Sequence, residues 1–292
     1  MWAILRRKHM NKVAIFVDST ADLGKEQYNK LDIHVVPLLV NIGGNAYKDG
    51  EEIDSTKLYQ LVAEHGELPT TAAVPPYTFV EAFKPFIDNG YDIFYVGIGG
   101  KLSATLQSVV LAAQEFPEGR VFYSDSNNLS SGSGILALKA VKYRDEGKSA
   151  ADIKALIDAH APKVNSLFAI ETLDYLHKGG RCSGTAKVLG KLFHIHPIIK
   201  VTDGKLIVYK KPRGRMSSAL DELAGELKSH LPHVDSDHIM ITHAGVEQAN
   251  LDYLVKKVGA LVNPNSVMIT NAGAVISSHC GYGTIGVLYL KK

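Results

Sequence analysis

Asp92-Ile-Phe-Tyr-Val-Gly-Ile-Gly-Gly-Lys-Leu-Ser-Ala-Thr105 joins an apolar run to a glycine-rich turn, and the turn to residues of helical period. That order decides the fold class. A run as short and as rich in β-branched and aromatic residues as 92–98 reads as a strand buried on both faces of a parallel sheet. The same texture recurs at 12–18, 35–42 and 120–125. Between these runs, 55–65, 77–89, 103–116 and 129–147 have helical period, with Pro85 predicting a kink or an early end in the second. Strands alternating with helices imply right-handed crossovers and an open, doubly wound sheet. Ser149-Ala-Ala-Asp152 is a capping box that opens a further helix over 150–160.

After Pro162 the texture changes. Strands are predicted at 166–172, 197–202 and 205–210, the last two joined by Asp203-Gly204, a hairpin signal that brings in antiparallel pairing. A helix over 215–229, a strand over 238–243, a helix over 247–258 and strands over 266–270 and 284–290 complete the chain. The expectation is therefore an α/β protein of two domains. Residues 11–163 form an N-terminal open parallel sheet flanked by helices, and 164–292 a C-terminal mixed or antiparallel sheet with helices.

A chain of 292 residues, 46% hydrophobic and 21% charged, can bury a core in each of two such domains. A net charge of +2 provides no global field to draw in nucleic acid or a membrane. Two distant cysteines, Cys182 and Cys280, form no scaffold or metal pattern, and a reducing cytoplasm is the simplest expectation. The start, Met1-Trp-Ala-Ile-Leu-Arg-Arg-Lys-His, has a short apolar run ahead of its basic residues, the reverse of the secretory order. Met10 stands just before the first strand, and residues 1–10 are read as an extension that takes no part in the fold. No run approaches the ~20 apolar residues of a membrane helix.

Four turns carry more chemistry than folding requires. Asp18-Ser-Thr-Ala-Asp-Leu23 follows the first strand, at the sheet edge where open α/β folds bind ligands, although Ser19 or Thr20 as a helix cap is the simpler reading. Thr70 and Thr71, in a loop bounded by Pro69 and Pro75-Pro76, can donate to an anion or cap the next helix. The turn 97–103 precedes a helix whose free N–H groups and dipole favour an anion beside Ser103. It fails the phosphate-loop pattern, because Leu102 separates Lys101 from Ser103. An ordinary capped turn stands open beside the anion site. Ser277-Ser-His-Cys-Gly-Tyr-Gly283 is read as a turn between two late strands, with Gly281 and Gly283 admitting close backbone approach and His279 able to donate or accept. The histidines His194, His196, His230, His233, His238 and His243 lack acidic or cysteine partners at ligand spacing, so no metal is expected. No nucleophile elbow or Cys–His signature is present.

The ordered set of motifs resembles the DegV family, the bacterial fatty-acid-binding proteins often called FakB-type. The likeness runs from Asn11 nearly to the end. It rests on Asp18-Ser-Thr-Ala-Asp-Leu, Pro69-Thr-Thr, Lys101-Leu-Ser-Ala-Thr-Leu-Gln-Ser, Asp125-Ser126, Leu173-Asp-Tyr-Leu-His-Lys-Gly-Gly-Arg181, Pro197-Ile-Ile-Lys-Val and His279-x-Gly-x-Gly283. The resemblance implies a non-enzymatic carrier with a long-chain fatty acid between its domains, its carboxylate held by Thr71, Ser103 and His279. It implies no cofactor beyond that ligand, and a separate ATP-dependent fatty-acid kinase that converts the acid to an acyl phosphate in phospholipid metabolism. Three departures stand out: Thr71-Ala-Ala-Val-Pro75 replaces a common Thr-Ser-Gln-Pro-Ser, Ser103-Ala-Thr105 a typical Ser-Gly-Thr, and Tyr282 sits where a proline is usual.

Residues 177–215 carry ten lysines and arginines against one acid, Asp203. Such a stretch suggests a docking face for an anionic partner, or a surface balanced by acids elsewhere. On the resemblance, Arg181 and Arg213 would meet the kinase or the acyl phosphate. No nucleic-acid partner and no integral membrane segment are expected, and transient contact with a membrane suits the cargo. The alternatives are a phosphotransferase using the 97–103 turn, with His279 or Asp18 as base, and a module that senses an anionic lipid.

Overall fold

A computed structural model describes residues 11–183 and 195–292; the extension read over 1–10, and Lys187, Lys191 and His194, lie outside the described residues. The strands of the first part are β1 (Val13–Asp18), β2 (Ile33–Val36), β3 (Leu39–Ile42), β4 (Asn45–Lys48), β5 (Thr70–Ala72), β6 (Asp92–Gly97) and β7 (Val121–Asp125). Its helices are α1 (Lys25–Lys30), α2 (Ser55–His65), α3 (Pro76–Asp88), α4 (Thr105–Ala113), α5 (Ser131–Asp145) and α6 (Ala150–His160). The remainder adds β8 (Val164–Ala169), β9 (Cys182–Ser183), β10 (Ile198–Thr202), β11 (Lys205–Lys210), β12 (Val234–Ala244), β13 (Val267–Asn271) and β14 (Thr284–Lys291). Its helices are α7 (Asp174–Gly179), α8 (Met216–His230), α9 (Gln248–Gly259) and α10 (Ala274–Cys280).

The first sheet has the order β2-β1-β6-β7 and is parallel throughout. Its strands are the apolar runs of the sequence, and the central pair β1 and β6 is buried on both faces as α/β packing requires. The run 35–42 was expected as one strand and is two. Pro37 has no N–H for the ladder, so β2 stops at Val36 and the chain turns away. It re-enters as β3, which pairs antiparallel with β4 and β5 in a separate three-stranded sheet. Gly43 and Gly44, at φ 58° and 74°, make the β3–β4 turn, a left-handed pair that side chains would resist. Pro85 does not end α3, which runs on to Asp88.

The second sheet is mixed, in the order β13-β12-β14-β8-β10-β11-β9. Its β10–β11 hairpin turns on Asp203 and Gly204, both at positive φ, as the sequence predicted. Helices α8 and α9 cover one face of this sheet through Leu220, Leu223, Leu227 and Leu254.

Helix α5 lies between the two sheets. Every residue from Ser131 to Val141 is buried, because the helix meets β1 and β6 on one side and β8, β12 and β14 on the other. Ile15, Val17 and Phe94 of the first sheet join Met240, Leu288 and Leu290 of the second in one apolar cluster through Ile135, Leu138 and Val141. Each such side chain contributes about 1.5–3 kcal/mol by leaving water. The one charge in its buried stretch 131–141, Lys139, is paired with Asp235 at 2.6 Å and Asp237 at 2.8 Å on β12.

The segment 277–283, expected as a turn, is mostly helical: α10 takes in Ser277, Ser278, His279 and Cys280, and only 281–283 turn. The serines bond back along the chain instead of competing for a loop conformation, Ser278 Oγ donating to Ala274 O at 2.7 Å.

Candidate functional site

The carboxyl end of β1 is fixed by Asp18. Its Oδ2 accepts from the Tyr95 hydroxyl (2.6 Å) and the Ile98 N–H (2.9 Å), and its Oδ1 from the Thr20 N–H (3.0 Å) and hydroxyl (2.5 Å). A Cβ on Gly97 would stand 2.1 Å from that carboxylate, so only glycine lets β6 end there. Asp18 is fully buried and fully engaged, a clamp between β1 and β6 and not the open base that a phosphotransferase would need. Sequence reasoning offered Ser19 or Thr20 as a helix cap; Asp18 is the cap, with Thr20 a donor to it, and Ser19 Oγ accepts instead from the Leu38 N–H at 3.1 Å.

Beyond this clamp the turn 97–103 leads into α4. Ser103 N–H donates to Gly99 O at 3.2 Å, and Ser103 Oγ lies 2.9 Å from the Thr105 hydroxyl. The half-buried Ser103 faces a cavity of about 240 Å³ that is also lined by Thr71 from β5, His279 from α10 and Arg181. Thr71 Oγ1 and His279 Nε2 are 2.8 Å apart. Below these groups the walls are apolar, including Leu38, Ile98, Leu129, Leu206 and Ile276. One end of the cavity thus carries hydroxyl and imidazole groups and the rest repels water, a shape suited to an amphiphile with a single polar head.

Burial first, and then the nearby Arg181 cation, lower the His279 pKa to about 4, so the ring is neutral at pH 7. Among the described residues its Nδ1 has no hydrogen-bond partner, and Gly179 packs so closely that a Cβ there would lie 2.3 Å from that nitrogen. A bare lone pair in that position costs less than a dry N–H, which places the proton on Nε2. Nε2–H then donates to Thr71 Oγ1 and leaves the threonine hydroxyl hydrogen free to point into the cavity.

Two carboxylates from the first part of the chain seat the helix that carries His279. Gly273 N–H donates to Asp22 Oδ1 (2.8 Å) and Ala274 N–H to Asp49 Oδ1 (2.7 Å), at the positive end of α10. Ser130 Oγ holds the other Asp22 oxygen at 2.5 Å. Burial pushes the Asp49 pKa up to about 6. Because the unfolded chain titrates near 4, this carboxyl contributes stability in full below about pH 4, and that stability is lost as pH rises to about 6. An Asp49→Asn chain should lack that component of the pH–stability curve, as read by urea midpoints measured across this range.

The structure therefore brings Thr71, Ser103, His279 and Arg181 around one cavity. Arg181 is built into the wall, its Nη1 donating to Gly179 O at 2.6 Å and its Nε to Leu102 O at 3.3 Å. Arg213 is exposed after β11 and is not among the lining residues. Two other cations of the basic stretch are balanced locally, Lys200 by Glu226 (3.4 Å) and Lys210 by Glu222 (2.8 Å) on α8. Among the described residues no cluster of three or more His, Cys, Asp or Glu could hold a metal ion. Among them, too, no helix is long and apolar enough to cross a membrane. Asp49 and the apolar walls escaped sequence reasoning, and Asp22 was visible in the Asp18–Leu23 turn without its contact to Gly273. Gly179 was visible in Lys-Gly-Gly-Arg, but its reason, contact with a ring 100 residues away, was not.

Fold and cavity together define an α/β protein with a largely apolar cavity that also carries hydroxyl and imidazole groups. The chain belongs to the DegV family, whose pattern, described as "Uncharacterised protein, DegV family", matches residues 12–292. A DegV domain-containing protein of Clostridium acetobutylicum is 34% identical over 291 residues, covering 97% of this chain and all of the relative. Among solved structures, a DegV family protein from Thermus thermophilus described by its fatty-acid binding superposes with a TM-score of 0.87 at 31% identity, covering 96% of this chain and 100% of that one. DegV of Bacillus subtilis, described as a fatty acid binding protein, gives 0.81 at 25% identity, covering 97% and 100%.

Proposed function

We propose that this chain is a carrier for a long-chain fatty acid, held by its carboxylate at Thr71, Ser103 and His279 with its tail in the apolar chamber. The observation that carries the reading is a single cavity whose polar donors converge at one end, with Thr71 and His279 joined at 2.8 Å. A carboxylate leaving water needs charge-assisted hydrogen bonds, and the Ser103 and Thr71 hydroxyls can supply them, the neutral His279 ring turning the Thr71 hydroxyl hydrogen toward the acid. Each buried methylene adds about 0.8 kcal/mol, so the tail dominates affinity. The fatty-acid binding described for the Thermus and Bacillus relatives supports this reading. Asp18, with all its acceptor positions engaged, favours carriage over phosphoryl transfer by this chain. In the same reading the carrier offers its carboxylate to a separate ATP-dependent kinase, with Arg181 beside the transferred phosphoryl group and Arg213 on the docking face.

The test is denaturation of the purified chain, extraction with organic solvent and mass spectrometry. A stoichiometric long-chain acid is expected. An empty extract together with ATP turnover by the chain alone would overturn the proposal in favour of an enzyme. Charge reversal at both arginines should slow acyl-phosphate formation with the cognate kinase, and an unchanged rate would remove them from that role.

A further inference from the structure

The seven-stranded sheet parts between two of its inner strands. β8 and β10 pair from Ala169 with Ile198 to Leu167 with Lys200 and no further. Past that point β8 stays with β14 as far as Val164, while β10 stays with β11 as far as Thr202. The fork so formed is a cleft of about 410 Å³, also lined by Lys101 and Asn127 from the first part of the chain. No residue lines both this cleft and the apolar cavity.

The two-residue repeat of strands decides what stands together there. Asn165 on β8 lies opposite Tyr289 on β14, and Lys291 lies two residues farther along β14. Lys200 on β10 lies opposite Leu167, two residues from Asn165. Asn165 is therefore flanked on one face of the sheet by two lysines, each a diagonal neighbour at about 7–8 Å. It lines the cleft, is 4% exposed, and its Nδ2 has no hydrogen-bond partner among the described residues. A buried donor left in this way works against folding unless something accepts from it. Asn128, also in the lining, is the contrast: its Oδ1 accepts from Ser166 Oγ at 2.7 Å and from the Leu129 N–H at 3.1 Å.

Charge points the same way. Among the described residues Lys291 makes no ion pair, and Lys101 Nζ donates to Asp203 O at 2.8 Å and to no carboxylate. Lys200 is shared with Glu226 at 3.4 Å. Three cations thus border the cleft against one acid, Asp203, with Glu226 paired to one of them. A tetrahedral, doubly charged oxyanion can accept from several walls at once, as a flat carboxylate with two oxygens cannot. Lysine serves such an ion as a mobile point charge.

We propose that the fork between β8 and β10 binds a phosphate group, whose oxygens accept from the Asn165 amide and from the ammonium groups of Lys291 and Lys101. The cleft has room for a small phosphate ester as well as the free ion, with Pro162, Val164 and Val201 as its apolar wall. The assignment stands apart from the fatty-acid reading, since the two cavities share no residue.

The test is isothermal titration of the full chain with inorganic phosphate and with glycerol phosphate, both too polar for the apolar cavity, at an ionic strength held constant with chloride. Saturable binding at one site per chain is expected from the parent. Lys291→Gln and Asn165→Val should each weaken it about tenfold or more, as a charge-assisted hydrogen bond is lost. Tighter binding of glycerol phosphate would identify an ester as the guest, and equal or tighter binding of inorganic phosphate the free ion. Should the valine chain fold poorly, Lys291→Gln and Lys101→Gln decide in its place. Heat that does not saturate in the parent, or an affinity unchanged by either substitution, overturns the site.

Discussion

An Asp18→Ala chain is expected to lose about 5 kcal/mol of stability, seen as a large drop in the urea midpoint. The carboxylate takes four hydrogen bonds in a site with no solvent exposure. Its removal orphans the Tyr95 hydroxyl, the Ile98 N–H and the Thr20 N–H, with each buried unpaired group costing about 1–3 kcal/mol. Small domains have only about 5–15 kcal/mol to lose, so this change takes a large share. Asp18→Asn keeps the shape but must turn an amide N–H₂ toward one pair of donors, and should fall between the parent and the alanine chain. A Gly97→Ala chain should fail in the same way from the other side, since its Cβ meets the same carboxylate at 2.1 Å. Unchanged midpoints would show that the clamp is not what ends β1 and β6 in register.

A His279→Ala chain is expected to fold and to bind fatty acid about a hundredfold more weakly, because the Thr71 hydroxyl no longer receives Nε2–H and stops aiming its own hydrogen at the carboxylate, so that a charge-assisted hydrogen bond of about 1.5–3 kcal/mol is lost. The corresponding long-chain alcohol, which brings no charge, should lose far less, and that difference separates a head-group effect from general damage to the pocket. Gly179→Ala should act in the same direction by pushing the ring off Thr71. The change also has a pH signature. His279 is held at about 4 when folded against 6.5 for the ordinary side chain, so the stability that its neutral form contributes is present above about 6.5 and is lost as pH falls toward 4. Asp49 acts in the opposite sense over much of the same range. The two contributions offset one another in the parent. The His279→Ala chain should therefore become relatively more stable toward acid, and the Asp49→Asn chain relatively more stable toward neutral pH.

Much of the fold could be read from residue order. Buried runs such as 13–17 and 93–96 have one plausible place, inside a covered parallel sheet, and Asp203-Gly204 announces its own hairpin. The failures have particular causes. Pro37 was passed over inside an otherwise strand-like run, and with it went the whole β3–β5 sheet that carries Thr71. Helix α10 was hidden because two serines, a histidine and nearby glycines look like a turn, and its start is secured by acids more than 200 residues earlier. The site divides in the same way. An anion position at Ser103 followed from a turn entering a helix, whereas the choice of Thr71 and His279 came from family resemblance. Their contact across 208 residues has no local signal. Chamber walls such as Leu38, Leu129 and Ile276 are indistinguishable from core in a sequence, because a cavity exists only by what fails to fill it.

The burial of α5 on both sides bears on how the molecule melts. A helix that belongs by sequence to the first sheet spends its other face on the second, and Lys139 anchors it there through Asp235 and Asp237. Neither sheet can shed its partner without exposing one apolar face of α5 to water. Calorimetry should accordingly record one cooperative endotherm whose calorimetric and van't Hoff enthalpies agree. A chain cut after α6 should yield fragments that complement each other when mixed and that aggregate when kept apart.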